Sequence, residues 1–198
     1  MKLEKVIAYL IGLLFTCFGV ALILKTNWGL DAWNSVFAGL EQITPLSFGM
    51  WSIAIQGLFL LIAAILDKKM EWLCIIPIVY KGIFLDIAKT ITFHISIPSG
   101  IGTSILLFVF GYLLVVLGTG LYVATGYPKM PIDGLMTALS DSFLGNIKKS
   151  RLLIEIVGFT FLILVRGPFG IGTVITTFTI SHFISATKNL AEKWLEPT

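Results

Sequence analysis

Two short stretches of this chain combine helix-breaking residues with polar heads. One is "WGLDAWNSVFAGL", from Trp28 to Leu40, and the other is "YPKMPIDGLMTAL", from Tyr127 to Leu139. In the second, Asp133 follows Pro131 by two residues. Proline favours the first helical position, which sets Asp133 at the third. An acid there suits the free N–H groups and the positive end of the helix dipole. In the first stretch Asp31 is spaced as an N-cap, with Asn34 three residues on. Helix-start chemistry alone explains both patterns. If Asn34 and Asp133 also face a cavity, they form a pair able to bind a small solute or a coupling ion.

Further polar residues lie inside apolar runs. Glu155 is one, and Gln56 is its amide counterpart earlier in the chain. An ionised side chain deep in a bilayer is costly unless paired or hydrated, so an intramembrane acid is a functional candidate by default. The competing reading pairs Glu155 with Arg151 one helical turn away. Lys81 sits midway through "PIVYKGIFLDIAK". Asp86, five residues on, points about 140° away around a helix. Lys81 is therefore expected to meet an acid on another helix, Asp133 or Glu155, or a substrate. His182, beside Ser181, can relay protons or serve as a hydrogen-bonded packing residue. Trp28, Trp33, Trp51 and Trp72 read as interface anchors. Next to Asn34, Trp33 could also cover an organic ligand, with the anchor role the preferred reading.

The elements that must hold these groups follow from hydropathy. The chain has 198 residues, of which 57% are hydrophobic and only 13% charged. A soluble domain carries about 25% charge. Several nearly uncharged windows have the length a bilayer core demands. Six spanning helices are expected over 5–24, 48–66, 72–91, 101–123, 149–166 and 170–190. The segments 31–42 and 131–143 are too short to cross the ~30 Å hydrocarbon core. With the N-terminus inside, Lys2, Lys5, Lys68, Lys69, Lys129, Lys148, Lys149, Arg151, Lys188 and Lys193 fall on the inner side. Only Lys25, Lys89 and Arg166 fall outside, so both termini are expected in the cytoplasm. Cys17 and Cys74 fall inside the expected spans, without metal or disulfide spacing, and read as buried inert thiols. No small-residue cleavage pattern follows the first apolar run, so it reads as an uncleaved helix.

A shift of 99 positions sets Gly12 on Gly111, Gly19 on Gly118, Trp28 on Tyr127, Asn34 on Asp133 and Gln56 on Glu155. Residues 1–99 and 100–198 then read as two halves of one packed membrane domain. Each half orders its parts as long helix, break, short helix, long helix, long helix. Three spans per half make the halves face opposite ways. The fold class expected is an all-α polytopic membrane protein, with six transmembrane helices, two short broken or re-entrant helices and a 3+3 inverted-topology repeat. Secondary transporters are often built so, with broken helices lining a midplane site.

At these residues the chain resembles the YczE/YyaS/YitT-like group of bacterial integral membrane proteins. The likeness rests on "GLDAWNSV", "KMPIDGLM" and "GPFGIGTVITTFTISHFI". Asn34 stands where the group's first-half acid is expected, and Ala32 where its proline is expected. The resemblance implies this fold and a bacterial cytoplasmic (inner) membrane location.

The leading expectation is a secondary transporter of a small cationic or zwitterionic solute, possessing a proton- or cation-coupling acid in Asp133 or Glu155. Two acids with only Lys81 to offset them set that charge preference. The alternatives are a substrate-binding subunit of a larger transporter and a non-transport regulatory or assembly protein. Candidate substrate- or ion-binding residues are Asn34, Asp133, Glu155, Gln56, Lys81 and Trp33, with Asp86, His182 and Arg151 in support. HExxH, Gly-x-Ser-x-Gly, paired cysteines and a phosphate loop are all missing from the sequence, so no enzyme, cofactor or metal site is expected. The partners expected are the lipid bilayer and a small molecule or ion, with a second copy or a partner membrane subunit left open. Nucleic acid is not among them.

Overall fold

The computed structural model describes residues 3–96 and 100–195. Among the described residues the regular structure is entirely helical. The helices are α1 (Leu3–Thr26), α2 (Ala32–Ile43), α3 (Phe48–Asp67), α4 (Ile75–His94), α5 (Ile101–Ala124), α6 (Pro131–Leu139), α7 (Ile147–Leu164) and α8 (Ile171–Leu195). A 3-10 turn, Trp72–Cys74, leads into α4, and a π turn, Ser140–Leu144, closes α6. Cys74 thus lies in the turn before α4 rather than inside a span.

α2 and α6 have 12 and 9 residues, which makes them about 18 and 14 Å long. α1, α3 and α5 are long and apolar enough to cross a membrane. α4, α7 and α8 reach 20, 18 and 25 residues. They are more polar because α4 carries Lys81, Asp86 and Lys89, α7 carries four charges from Lys148 to Glu155, and α8 is rich in threonine.

The helix ends recur at matching positions. Thr26 Oγ1 donates to the Ile23 carbonyl and accepts from Trp28 N–H, at 2.7 and 3.2 Å. Thr125 Oγ1 donates to the Tyr122 carbonyl and accepts from Tyr127 N–H, at 2.6 and 3.4 Å. The next residues, Asn27 and Gly126, both turn left-handed, with φ of 56° and 74°. Ser47 caps α3 by accepting from Met50 N–H, and Asn146 caps α7 by accepting from Lys148 N–H. Each pair is 99 residues apart.

The chain forms two compact units. The first holds Met1–Asp31, Phe84–Tyr127 and Pro168–Thr198, and the second holds Ala32–Ile83 and Pro128–Gly167. Each unit draws on both sequence halves. Two of the boundaries fall in the two broken stretches, at Asp31–Ala32 and Tyr127–Pro128.

In the first unit α1 and α5 cross antiparallel with their backbones in contact. A Cβ on Gly12 would stand 2.7 Å from the Gly118 carbonyl oxygen, and one on Gly111 would stand 2.8 Å from that of Gly19. Glycine lets the helices approach this closely. Exchanging residue numbers by 99 turns one contact into the other. The same exchange turns the Trp28–Phe108 ring pair, 5.8 Å apart, into Tyr127–Tyr9, 5.6 Å apart. α8 runs parallel to α5. Tyr112 hydroxyl meets Thr179 Oγ1 at 2.7 Å, and further along Thr187 Oγ1 donates to the Val116 carbonyl at 3.1 Å.

Candidate functional site

The second unit consists of α2, α3, the first part of α4, α6 and α7. α3 packs against α6 and α2 against α7, so each short helix lies on a long helix of the other sequence half. α2–α3 and α6–α7 contacts complete the group. Every leading candidate, Trp33, Asn34, Gln56, Lys81, Asp133 and Glu155, falls in this unit, and so does Arg151. Asp86 and His182 fall in the other. His182 is exposed on α8 rather than packed, because the buried positions of α8 are Gly172, Thr173 and Thr176.

α2 runs parallel to α7. A Cβ on Gly158 would stand 2.9 Å from both Cε2 and Nε1 of Trp33, while one on Gly39 would meet Val165 and Gly167. The start of α2 is therefore level with the interior of α7, about 9 Å from its C-terminal end at 1.5 Å per residue. Trp33 is 7% exposed. Its ring packs edge-on against Phe59 at 4.7 Å and also faces Phe161 at 6.4 Å. The expected interface-anchor role is thus corrected for Trp33: its ring is enclosed by α3 and α7, with the Nε1 edge toward the Gly158 backbone. Trp72, by contrast, is largely exposed.

Asn34 follows Trp33 and is buried. On α3, Ser52 and Gln56 are one turn apart and share the buried side with Phe59. Ser52 Oγ, Gln56 Oε1 and Trp33 Nε1 are buried and have no hydrogen-bond partner among the described residues. A buried polar atom left unsatisfied is costly, so each of them marks a place where another molecule or water can bind.

On α6, Pro131 occupies the first helical position and Asp133 the third, as the sequence implies. The charges of Lys129, Arg151 and Lys81 all act on the Asp133 carboxyl. Lys81 lies on α4 and Arg151 on α7, while Lys129 precedes α6. A base of the loop before α6 and one of α7 thus act on Asp133 beside Lys81. Asn34, Lys81, Asp86 and Glu155 each engage neighbours as well.

Ser52 was not among the sequence candidates. Its signal was visible: a serine four residues before Gln56 in an otherwise apolar helix. The partners of Trp33 carried none, because Gly158 and Phe59 are ordinary residues for a membrane helix.

The chain matches the family described as "Family of unknown function (DUF6198)" over residues 3–189. It is similar to the uncharacterized protein YyaS of Bacillus subtilis (strain 168), at 28% identity over 173 residues, covering 87% of this chain and 86% of the relative. It is similar to the uncharacterized membrane protein YczE of the same organism, at 29% identity over 181 residues, covering 89% and 83%. A protein of Haemophilus influenzae, also uncharacterized, is 25% identical over 172 residues, covering 87% and 78%. No solved structure matches the chain significantly. The YczE/YyaS resemblance carried by the two broken stretches thus extends along most of the chain. By this match over nearly its whole length, the chain belongs to the DUF6198 family, whose function is unknown, and it is related to a membrane protein.

Proposed function

We propose that the protein is a six-span secondary transporter of the bacterial inner membrane, moving a small polar solute through a site built by α2, α3, α6 and α7. The observation that carries this reading is the gathering of both short helices and all six leading polar candidates into one compact unit. Such broken helices line midplane sites in transporters, and irregular backbone at that depth needs protein or a watery cavity around it.

An inverted repeat is supported by contacts that exchange under the 99-residue shift. α1 and α5 are equivalent in the two halves and cross antiparallel, so the axis exchanging them lies across the helices. α5 and α8 run parallel, which requires one return crossing between them. α7 is long enough for that crossing, and the 9-residue α6 is not. Three spans per half and cytoplasmic termini follow in this reading.

The surroundings of Asp133 refine the solute class. Three bases act on this acid. A free cation would meet repulsion there, whereas a zwitterion or an uncharged polar solute would not. A partner-subunit role is less well supported. The small residues Gly12 and Gly19, which could dock a partner along α1, are already covered by α5. No residue set for catalysis is proposed.

The test is uptake of radiolabelled small zwitterions and polyols into liposomes carrying the purified protein, with and without an imposed proton gradient. Uptake above that of empty vesicles, lost in Asp133→Asn, supports transport. The absence of uptake for all of them contradicts it.

A further inference from the structure

We propose that Trp33, Ser52 and Gln56 form a recognition subsite for a hydroxyl or primary amide group of the solute. This inference rests on the transporter reading and names the chemistry its site selects.

Trp33 Nε1 can only donate a hydrogen bond, Gln56 Oε1 can only accept one, and Ser52 Oγ can do either. All three atoms are buried and lack partners among the described residues. The residues are 7%, 4% and 1% exposed. A hydroxyl or primary amide both accepts and donates, so it answers Trp33 and Gln56 together. A carboxylate cannot answer Gln56 Oε1, and a quaternary ammonium can answer neither residue.

The indole of Trp33 is framed by apolar groups. Phe59 and Phe161 flank the indole, and the α7 backbone at Gly158 lies against its Nε1 edge. Ser52 and Gln56 project from one side of α3, with Phe59 a turn beyond. Fixed donors and acceptors in a dry frame discriminate strongly, because a ligand lacking the matching group leaves them unpaired. The charged end of a zwitterion is left to the Asp133 group, which belongs to the same unit.

The measurement is thermal unfolding of the full chain in detergent for wild type, Trp33→Phe, Ser52→Ala and Gln56→Leu. Each is run alone and with ribitol, myo-inositol, lactamide or glycine betaine. General osmolyte stabilisation raises all four proteins alike, so the reading is the difference between them. Without probe, Gln56→Leu and Ser52→Ala are expected to unfold about 2 °C or more above wild type, because an unsatisfied polar atom is gone. A hydroxyl or amide probe raises wild type further, and this extra rise disappears in all three variants. Glycine betaine gives none. Ser52→Ala and Gln56→Leu both less stable than wild type would overturn the proposal by pointing to a permanent water bound by these atoms. A wild type that gains no extra rise from any hydroxyl or amide probe would overturn it too. Binding without liposome uptake keeps the subsite and removes the transporter reading. Uptake that the three variants leave unchanged does the reverse.

Discussion

Gly12 of α1 and Gly118 of α5 touch backbone to backbone, and their counterparts Gly111 and Gly19 repeat the contact with the halves exchanged. A methyl group on Gly12 would come within 2.7 Å of the Gly118 carbonyl and the Tyr122 amide nitrogen. Both obstacles are helix backbone and cannot turn aside. Gly12→Ala and Gly118→Ala should each destabilise the protein by about 1–3 kcal/mol. Gly57 in α3 has open space around it. Gly57→Ala should instead stabilise by up to about 1 kcal/mol through helix propensity. Equilibrium unfolding in mixed detergent compares the three.

The Trp33 indole depends on the missing side chain at Gly158. A methyl there would press on Nε1 and Cε2 at 2.9 Å. Phe59 and Phe161 leave the ring little room to retreat. Gly158→Ala is expected to cost about 1–3 kcal/mol and to reduce uptake together with stability. Trp33→Phe relieves the pressure, so the double variant should recover stability without recovering the indole N–H. A double-mutant cycle on unfolding midpoints measures that coupling.

The charges of Lys129, Arg151 and Lys81 act on Asp133. Asp133→Asn keeps the shape and removes the negative charge on which these bases act. Liposome uptake should fall to the level of empty vesicles. Lys81→Met in the same background should restore folding stability but not uptake, because it rebalances charge without restoring the acid. Paired uptake and unfolding measurements separate the two effects.

Cys74 reports on the turn before α4. Burial pushes its thiol up to about 11, and the neighbouring Glu71 carboxylate adds to the effect. The thiolate is the reactive form, so a raised value means slow alkylation at neutral pH. Maleimide labelling should be slow near neutrality and accelerate as pH rises towards that value. Glu71→Gln removes the negative neighbour and should speed labelling at a fixed pH. Mass spectrometry of the intact protein follows the adduct.

Much of this architecture is legible in the sequence. Helix positions follow from apolar runs, Pro131 and the spacing of Asp133. The two short helices are visible because a broken, polar-headed segment interrupts each half. The division into units is not legible, because it cuts α4 between Ile83 and Phe84 inside an uninterrupted helical pattern. The burial of Trp33 is hidden for a related reason. Its packing against Phe59 and Gly158 is tertiary, and a tryptophan near a span end looks the same whether it faces lipid or a neighbour. Lys129 and Arg151 read as loop and surface charges until the fold brings them to act on Asp133.

Gln42 on α2 and Asp141 after α6 test the central claim most directly. They are equivalent under the 99-residue shift, and both are exposed. The natural cysteines, Cys17 and Cys74, are both buried and contribute little background. Gln42→Cys and Asp141→Cys, labelled in intact cells with a membrane-impermeant maleimide, report the side on which each short helix ends. Inverted halves predict labelling of Gln42→Cys in intact cells and of Asp141→Cys only after lysis. Labelling of both from the same side would contradict the inverted repeat and the transporter built on it.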